Sequence, residues 1–178
     1  MKIVHIFGSS GSGTTTLAKA ICERFGYKMI DIDDVFWEKT DPPFTVKRPE
    51  EERIQMIEEI LNKHDKVVMS GAIVGWGDVF IPRLNLAVYL HMPLEVRIAR
   101  VMHREAKRFG SRVMPGGDLY QQHLDFLEWI KAYDHGDELT RSKKQHLSWM
   151  LKLQCPVIKI ESVKTIDELI EIVSPYLS

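Results

Sequence analysis

Hydrophobic positions along the chain fall into two recurring patterns. Short, largely apolar runs occupy residues 2–7, 27–33, 66–70, 86–91 and 157–161. Between them apolar residues return every three or four positions, as in Leu17, Ala18, Ala20 and Ile21, or Ile54, Ile57, Ile60 and Leu61. The runs at 66–70 and 86–91 lack the alternation of a strand with one wet face, which predicts strands covered on both sides, the condition of a parallel sheet. The spaced positions predict helices over 14–25, 50–63, 93–109, 117–134 and 138–152, and an amphipathic helix carrying Val163, Ile166, Leu169, Ile170, Val173 and Leu177. Five strands alternating with helices predict an α/β three-layer fold built on a five-stranded parallel sheet. Ligands of such sheets sit beyond the carboxyl ends of the strands. Residues 8–15, 31–34, 70–78, 91–93 and 161–163 are therefore where chemistry is expected.

The first of these positions carries the sharpest signal. Gly8 and Gly13 take the first and sixth places of G-x-x-x-x-G-K-[ST], with Thr14 at the lysine place and Thr15 at the hydroxyl place that meets magnesium. A strand precedes the loop and a helix follows it, so the backbone amides and the positive helix end would surround a polyphosphate. Gly8, Ser9, Ser10, Gly11, Ser12, Gly13, Thr14, Thr15 and Thr16 form the expected nucleotide cradle. Thr14 breaks the pattern, because a hydroxyl cannot bring the lysine's charge to the outer phosphates. Either the site is inactive or a cation reaches it from elsewhere.

Asp31, Asp33 and Asp34 follow the second run, where carboxylates can orient a hydroxyl, act as a base, or cap a helix. Alternation along a strand puts Asp31 and Asp33 on one side, and Asp33 is the expected functional carboxylate with Asp34 beside it. Ser70, Gly71 and Ala72, followed by Trp76, allow a ligand close to the backbone beside an apolar wall, or form a plain turn over a core tryptophan. Arg97, Arg100, Arg104 and Arg108 share a helical face, and Arg112 follows Gly110. An arginine row is often just a solvated face, but this one leads into a glycine-punctuated hinge. Closure of that hinge would bring Arg104, Arg108 and Arg112 onto a transferring phosphoryl group. Lys39, Lys47, Arg48 and Arg53 either anchor an acceptor or are solvated, and His91 is the one histidine placed near the cleft.

Composition narrows the partners. At 178 residues, 44% hydrophobic and 28% charged, with a net charge of −1, the chain reads as one globular domain over 1–178 without an electrostatic case for nucleic acid or membrane. Cys22 and Cys155 lack the spacing of a zinc site or disulfide framework. Cytoplasmic location and a monomer or homodimer are expected.

The loop, the short second crossover, the arginine-bearing helix before a glycine-rich segment and the last β–α unit together resemble the nucleoside monophosphate kinase-like group of P-loop proteins, which includes adenylate, cytidylate, shikimate and gluconate kinases. Gly-Ser-Gly-Thr-Thr-Thr at 11–16 is similar to the loop of archaeal-type cytidylate kinases, where threonine also stands at the lysine place. Asp31-Ile-Asp33-Asp34-Val-Phe-Trp37, Arg108-Phe-Gly-Ser-Arg112 and Pro115-Gly-Gly-Asp118 resemble bacterial adenylate kinase-like ATPases. The resemblance implies ATP and Mg²⁺ on Gly8–Thr16, with Thr15 at the metal, and a helical lid over about 104–120. It also implies a substrate-binding insertion over about 34–64 and a passage for adenine near 161–163. Asp33 matches a substrate-facing carboxylate of shikimate kinase-like members, and 70–72 match their substrate-side turn. The Asp-Gly-Phe-Pro-Arg motif of adenylate kinase proper is absent, which argues against AMP as acceptor. The implied activity is transfer of a γ-phosphate to a nucleotide or small hydroxylated metabolite; the alternative is a nucleotide-binding regulatory ATPase.

Overall fold

In a computed structural model describing residues 1–161 and 163–177, five strands form one parallel sheet. They are β1 (Lys2–Gly8), β2 (Lys28–Asp31), β3 (Lys66–Ser70), β4 (Leu86–Leu90) and β5 (Val157–Ile160), in the order β2-β3-β1-β4-β5. β1 is central, and its Val4 lies in register with Val68 on one side and Leu86 on the other. Because strand side chains alternate, each strand feeds two cores. Ile3, Phe7, Val67, Met69, Ala87 and Tyr89 point to one face, where they meet α2 (Ile32–Phe36), α3 (Glu50–Leu61) and α6 (Lys143–Met150). Val4, Ile6, Val68, Val88 and Leu90 point to the other, against α1 (Thr14–Phe25) and α7 (Ile166–Val173). The fold is the expected α/β architecture, with helices on both faces of the sheet.

α4 (Leu94–Phe109) and α5 (Tyr120–Ala132) pair through Val101, Leu127 and Ile130 and stand beyond the carboxyl ends of the strands. Arg97, fully buried, fixes this pair to the sheet. Its guanidinium donates to the Met92 carbonyl at 2.9 Å, to the Ile130 carbonyl at 3.3 Å and to the Asp134 carboxylate. Among the described residues no helix is long and apolar enough to cross a membrane.

Three elements depart from the sequence pattern. β2 stops at Asp31 instead of running to 33, because the Asp31 carboxylate accepts from the Asp33 amide at 3.1 Å and starts α2 there. Asp31 and Asp33 are thus cap and first turn of a helix, not alternate positions of a strand. The helix predicted over 138–152 begins only at Lys143: Asp137 Oδ1 accepts from the amides of Leu139 and Thr140, and Ser142 caps the helix by accepting from Gln145 at 3.0 Å. Residues 110–113 form a single 3-10 turn before α5.

One face of the core is built around polar aromatics. The His5 ring stacks 4.9 Å from Phe7, and its Nε2 donates to the Gly71 carbonyl at 2.8 Å. Tyr89, Tyr133 and His146 make a buried chain, with hydroxyls 3.0 Å apart and 2.7 Å from Tyr133 to His146 Nδ1. Burial lowers His5 from 6.5 to about 4 and His146 from 6.5 to about 3. Below pH 6.5 the unfolded chain therefore binds protons that the native one refuses. Stability should fall as the pH drops from about 6.5 towards 4, with a limiting slope of about 3 kcal/mol per pH unit for the two rings together. Urea denaturation across this range measures the slope, and His5→Gln should roughly halve it. A slope unchanged by that substitution would contradict the assignment. Arg97→Ala leaves Asp134 without its buried partner and should cost about 3–5 kcal/mol at pH 7, read in the same denaturation experiment.

Candidate active site

The glycine loop sits where β1 ends, wedged between β4 and α4. A Cβ on Gly8 would lie 1.8 Å from the Leu90 carbonyl oxygen, so no side chain fits where the loop leaves the sheet. Gly11 adopts φ +83°, and a Cβ there would lie 2.7 Å from the Arg97 carbonyl oxygen. Glycine is required at both places by close backbone approach, and at Gly11 by the left-handed conformation as well. The loop then turns into α1, whose first amides have no preceding carbonyls to bond and face outward. Ser12 Oγ is buried in the loop without a hydrogen-bond partner. Unspent donors, an orphaned hydroxyl and a helix N-terminus fit an incoming polyphosphate. The Thr15 hydroxyl, at the magnesium place, accepts from Ser70 Oγ at 3.4 Å. Among the described residues no cluster of three or more His, Cys, Asp or Glu side chains is arranged to hold a metal ion. A magnesium held at the Thr15 hydroxyl would complete its oxygen shell with phosphate and water.

The loop opens into a cavity of about 1270 Å³. Gly8–Thr16, Asp33, Asp34, Gly71, Arg104 and Arg108 all line it, together with Ser70 and Ala72. Asp31 lines it too, and burial raises its carboxyl above the usual range, with the charges of Asp33 and Asp34 acting in the same direction against the Asp33 amide. Lys164, Thr165, Ile166 and Leu169 close the end beside α7. Ser162, in the stretch the resemblance assigns to the adenine, lies outside the described residues.

Several side chains singled out in the sequence sit elsewhere. Arg112 does not line the cavity. It is held by Asp118, with Nη2 2.7 Å from Oδ2, and by Asp41 at 2.6 Å, and these carboxylates raise its pKa. Trp76 lies outside the cavity lining, 6.1 Å from the ring of Phe36, which does line it. Arg53 is stacked over Phe36 at 4.3 Å and Trp76 at 5.2 Å, and Arg48 donates to the carbonyls of Val35 and Trp37. Both cations are occupied inside the second crossover, and of that basic group only Lys47 lines the cavity.

The cavity also contains one arginine of the α4 row that was not among the expected lid cations, and a second arginine the sequence did not single out. Arg100, one turn after Arg97, passes beside the loop: its Nη1 would be 3.6 Å from a Cβ on Gly13, and it donates to Met92 Sδ at 3.0 Å. Arg141 enters from the turn before α6 and lies 5.6 Å over Trp129. Burial lowers its pKa, opposed by the charge of Asp33, so a half-buried cation shares the cavity with the carboxylate expected to meet the acceptor. Its only sequence signal is a lone arginine between Thr140 and Ser142, which carries no spacing pattern.

Residues 36–48 form a hairpin across the mouth, with Glu38 bonded to Val46 and Arg48 to Phe36 through the backbone. Its tip touches the lid side at three points. Asp41 pairs with Arg112, the Pro43 carbonyl accepts from Gln122 Nε2 at 2.7 Å, and the Phe44 ring lies 4.9 Å beneath the Arg108 guanidinium. Phe44 holds φ at 60°, a conformation that costs free energy outside glycine and is retained here by those contacts.

A family model described as AAA domain matches residues 4–113. Uncharacterized protein YqaC of Bacillus subtilis (strain 168) is 40% identical over 177 residues, 99% of this chain and 98% of that protein. Cytidylate kinase of Archaeoglobus fulgidus is 35% identical over 118 residues, which span 60% of this chain and 63% of that protein. The fold is shared with a shikimate kinase from Bacteroides thetaiotaomicron, with a TM-score of 0.55, 17% identity, and coverage of 97% of this chain and 98% of that one. A gluconokinase from Sinorhizobium meliloti 1021 is similar at a TM-score of 0.54 and 15% identity, covering 99% of this chain and 91% of that one. With the matched segment running from β1 through the arginines of α4, the chain belongs to the nucleoside monophosphate kinase-like family of P-loop proteins.

Proposed function

We propose that this protein is an ATP-dependent phosphotransferase acting on a nucleotide or another small hydroxylated metabolite. The observation that carries the reading is the continuity of one cavity from the amide-lined loop to Asp33, with the guanidinium groups of Arg100, Arg104 and Arg108 on its wall. The loop would hold the β- and γ-phosphates. Magnesium, held by Thr15 and those phosphates, would supply charge neutralisation. Asp33 accepts the hydrogen of the acceptor hydroxyl as its oxygen bonds to the γ-phosphorus and ADP departs. Positioning and electrostatic stabilisation then account for most of the rate.

Residues 104–120 are read as the lid and 34–64 as the acceptor-binding insertion. Arg104 and Arg108 meet the transferring group, whereas Arg112 acts through closure, because its donors are engaged by Asp41 and Asp118. Thr14 supports a second reading, a regulatory ATPase that binds nucleotide without an acceptor.

Coupled ADP release over a panel of nucleoside monophosphates and sugar acids tests the main proposal. Stimulation by at least one acceptor is expected. Intact ATP binding with no acceptor-dependent turnover would favour the regulatory reading. Arg100→Ala or Arg104→Ala should lower kcat by roughly 100- to 1000-fold. Arg112→Ala should raise KM for the acceptor more than it lowers kcat, because it releases the hairpin. Steady-state kinetics of the three variants separate these roles, and equal kcat losses would remove the distinction.

A further inference from the structure

A polar chain runs beneath the donor loop and is not used by the transfer chemistry. Ser9, the loop's second residue, is buried with its Oγ 3.2 Å from His91 Nδ1, at the exit of β4. His91 Nε2 is 3.2 Å from Asp134 Oδ1, and the other oxygen of that carboxylate receives the buried Arg97 guanidinium. A bare Nε2 lone pair would face that carboxylate oxygen at 3.2 Å unfavourably, so the charge of Asp134 favours the ring tautomer with hydrogen on Nε2. Nδ1 is then bare and must accept, which commits the Ser9 hydroxyl hydrogen to His91.

We propose that His91 is a positioning residue of the donor loop, and that the Ser9–His91–Asp134 chain links nucleotide binding to uptake of a proton by this ring. This rests on the reading that the loop holds a polyphosphate. With the ring neutral, Ser9 spends its hydrogen on His91 and offers the loop only oxygen lone pairs. Once the ring is protonated, Nδ1–H donates to Ser9 instead. The serine hydrogen is freed, and a positive charge stands under a loop whose lysine place holds Thr14.

Groups from every neighbouring element set the balance. Arg97 of α4 and Lys143 of α6 disfavour the charged ring, and burial, the largest effect, does the same. Asp134 after α5 and Glu161 after β5 favour it. The rings of Tyr89 and Tyr133 flank it at 6.3 Å and 5.8 Å and remain neutral at ordinary pH. Free protein therefore holds the neutral ring at neutral pH, with its pKa below the ordinary histidine value. A multiply charged anion on the loop tips the balance the other way, and by reciprocity the protonated form binds that anion more tightly.

Long-range proton–nitrogen NMR of the ¹⁵N-histidine-labelled full chain reads the ring directly, with and without saturating magnesium–ADP. The Nε2–H tautomer is expected in the free protein, and the His91 pKa is expected to rise by at least one unit on binding, equivalent to about tenfold tighter binding to the protonated form. Calorimetry between pH 5.5 and 7.5 should show His91→Gln weakening magnesium–ADP binding several-fold and flattening its pH dependence relative to His91. His135→Gln, at an exposed histidine, should leave both unchanged. Nucleotide binding with an unmoved His91 pKa, or with hydrogen on Nδ1, overturns this proposal and leaves the phosphotransferase reading intact. Absence of magnesium–ADP and magnesium–ATP binding would overturn both.

Discussion

A guanidinium with no surface of its own sets the geometry of the site. Arg97 has all its charge inside the protein, so it must find its partners there. It takes the Met92 carbonyl at the β4 exit, the Ile130 carbonyl of α5 and the Asp134 carboxylate just after α5. Three elements are therefore fixed against one side chain. The backbone of the same residue presses on Gly11, so the position of α4 and the shape of the loop are one constraint. From that anchor the helix advances to Arg100, Arg104 and Arg108 at turn-sized steps, which places them along the cavity wall. An arginine row that looked uniform in sequence thus divides by depth. The first member is structure, and the next three face the ligand space.

The sheet was legible because its side chains answer to a simple rule. The runs that became β3 and β4 lack the alternation of a strand with one wet face, which water would not tolerate outside a covered parallel sheet. The loop was legible because its glycines are spaced for phosphate, and the structure gives Gly8 and Gly11 steric reasons to be there. What escaped the sequence depends on distance in space instead of distance along the chain. Arg141 has no periodicity, and nothing near it in sequence announces that it will share a cavity with Asp33. Arg48 and Arg53 looked like free cations until carbonyls and aromatic faces claimed them. The strand assigned through Asp33 was cut short by a local competition, since the Asp31 carboxylate offered the Asp33 amide a cap before a strand partner could.

The hairpin tip and the lid side meet directly, so the two halves of the cavity share a roof. Asp41–Arg112 is exposed and worth little alone. The Pro43–Gln122 hydrogen bond and the Phe44–Arg108 stacking add polar and aromatic contact at the same place. All three contacts sit at one place, where they offset the backbone cost of Phe44 at φ 60°. Under the proposed lid reading, a ligand that neutralises Arg108 or orders Phe44 would add its binding free energy to these tip contacts.

Under the proposed function, Thr14 at the lysine place would remove one flexible point charge but not the phosphate contacts of backbone amides held by the sheet. Positive charge reaches the cavity from other elements instead, with Arg100 beside the loop, Arg104 and Arg108 further along α4, and Arg141 from the turn before α6. A lysine on the loop is present whether or not the site is closed. Arginines on a separate helix converge on the phosphates only when α4 is correctly seated on the loop. In this protein Arg97 seats α4, and Asp134, His91 and Ser9 continue the line of contacts from it to the loop. Placing charge off the loop therefore makes phosphate stabilisation conditional on tertiary structure.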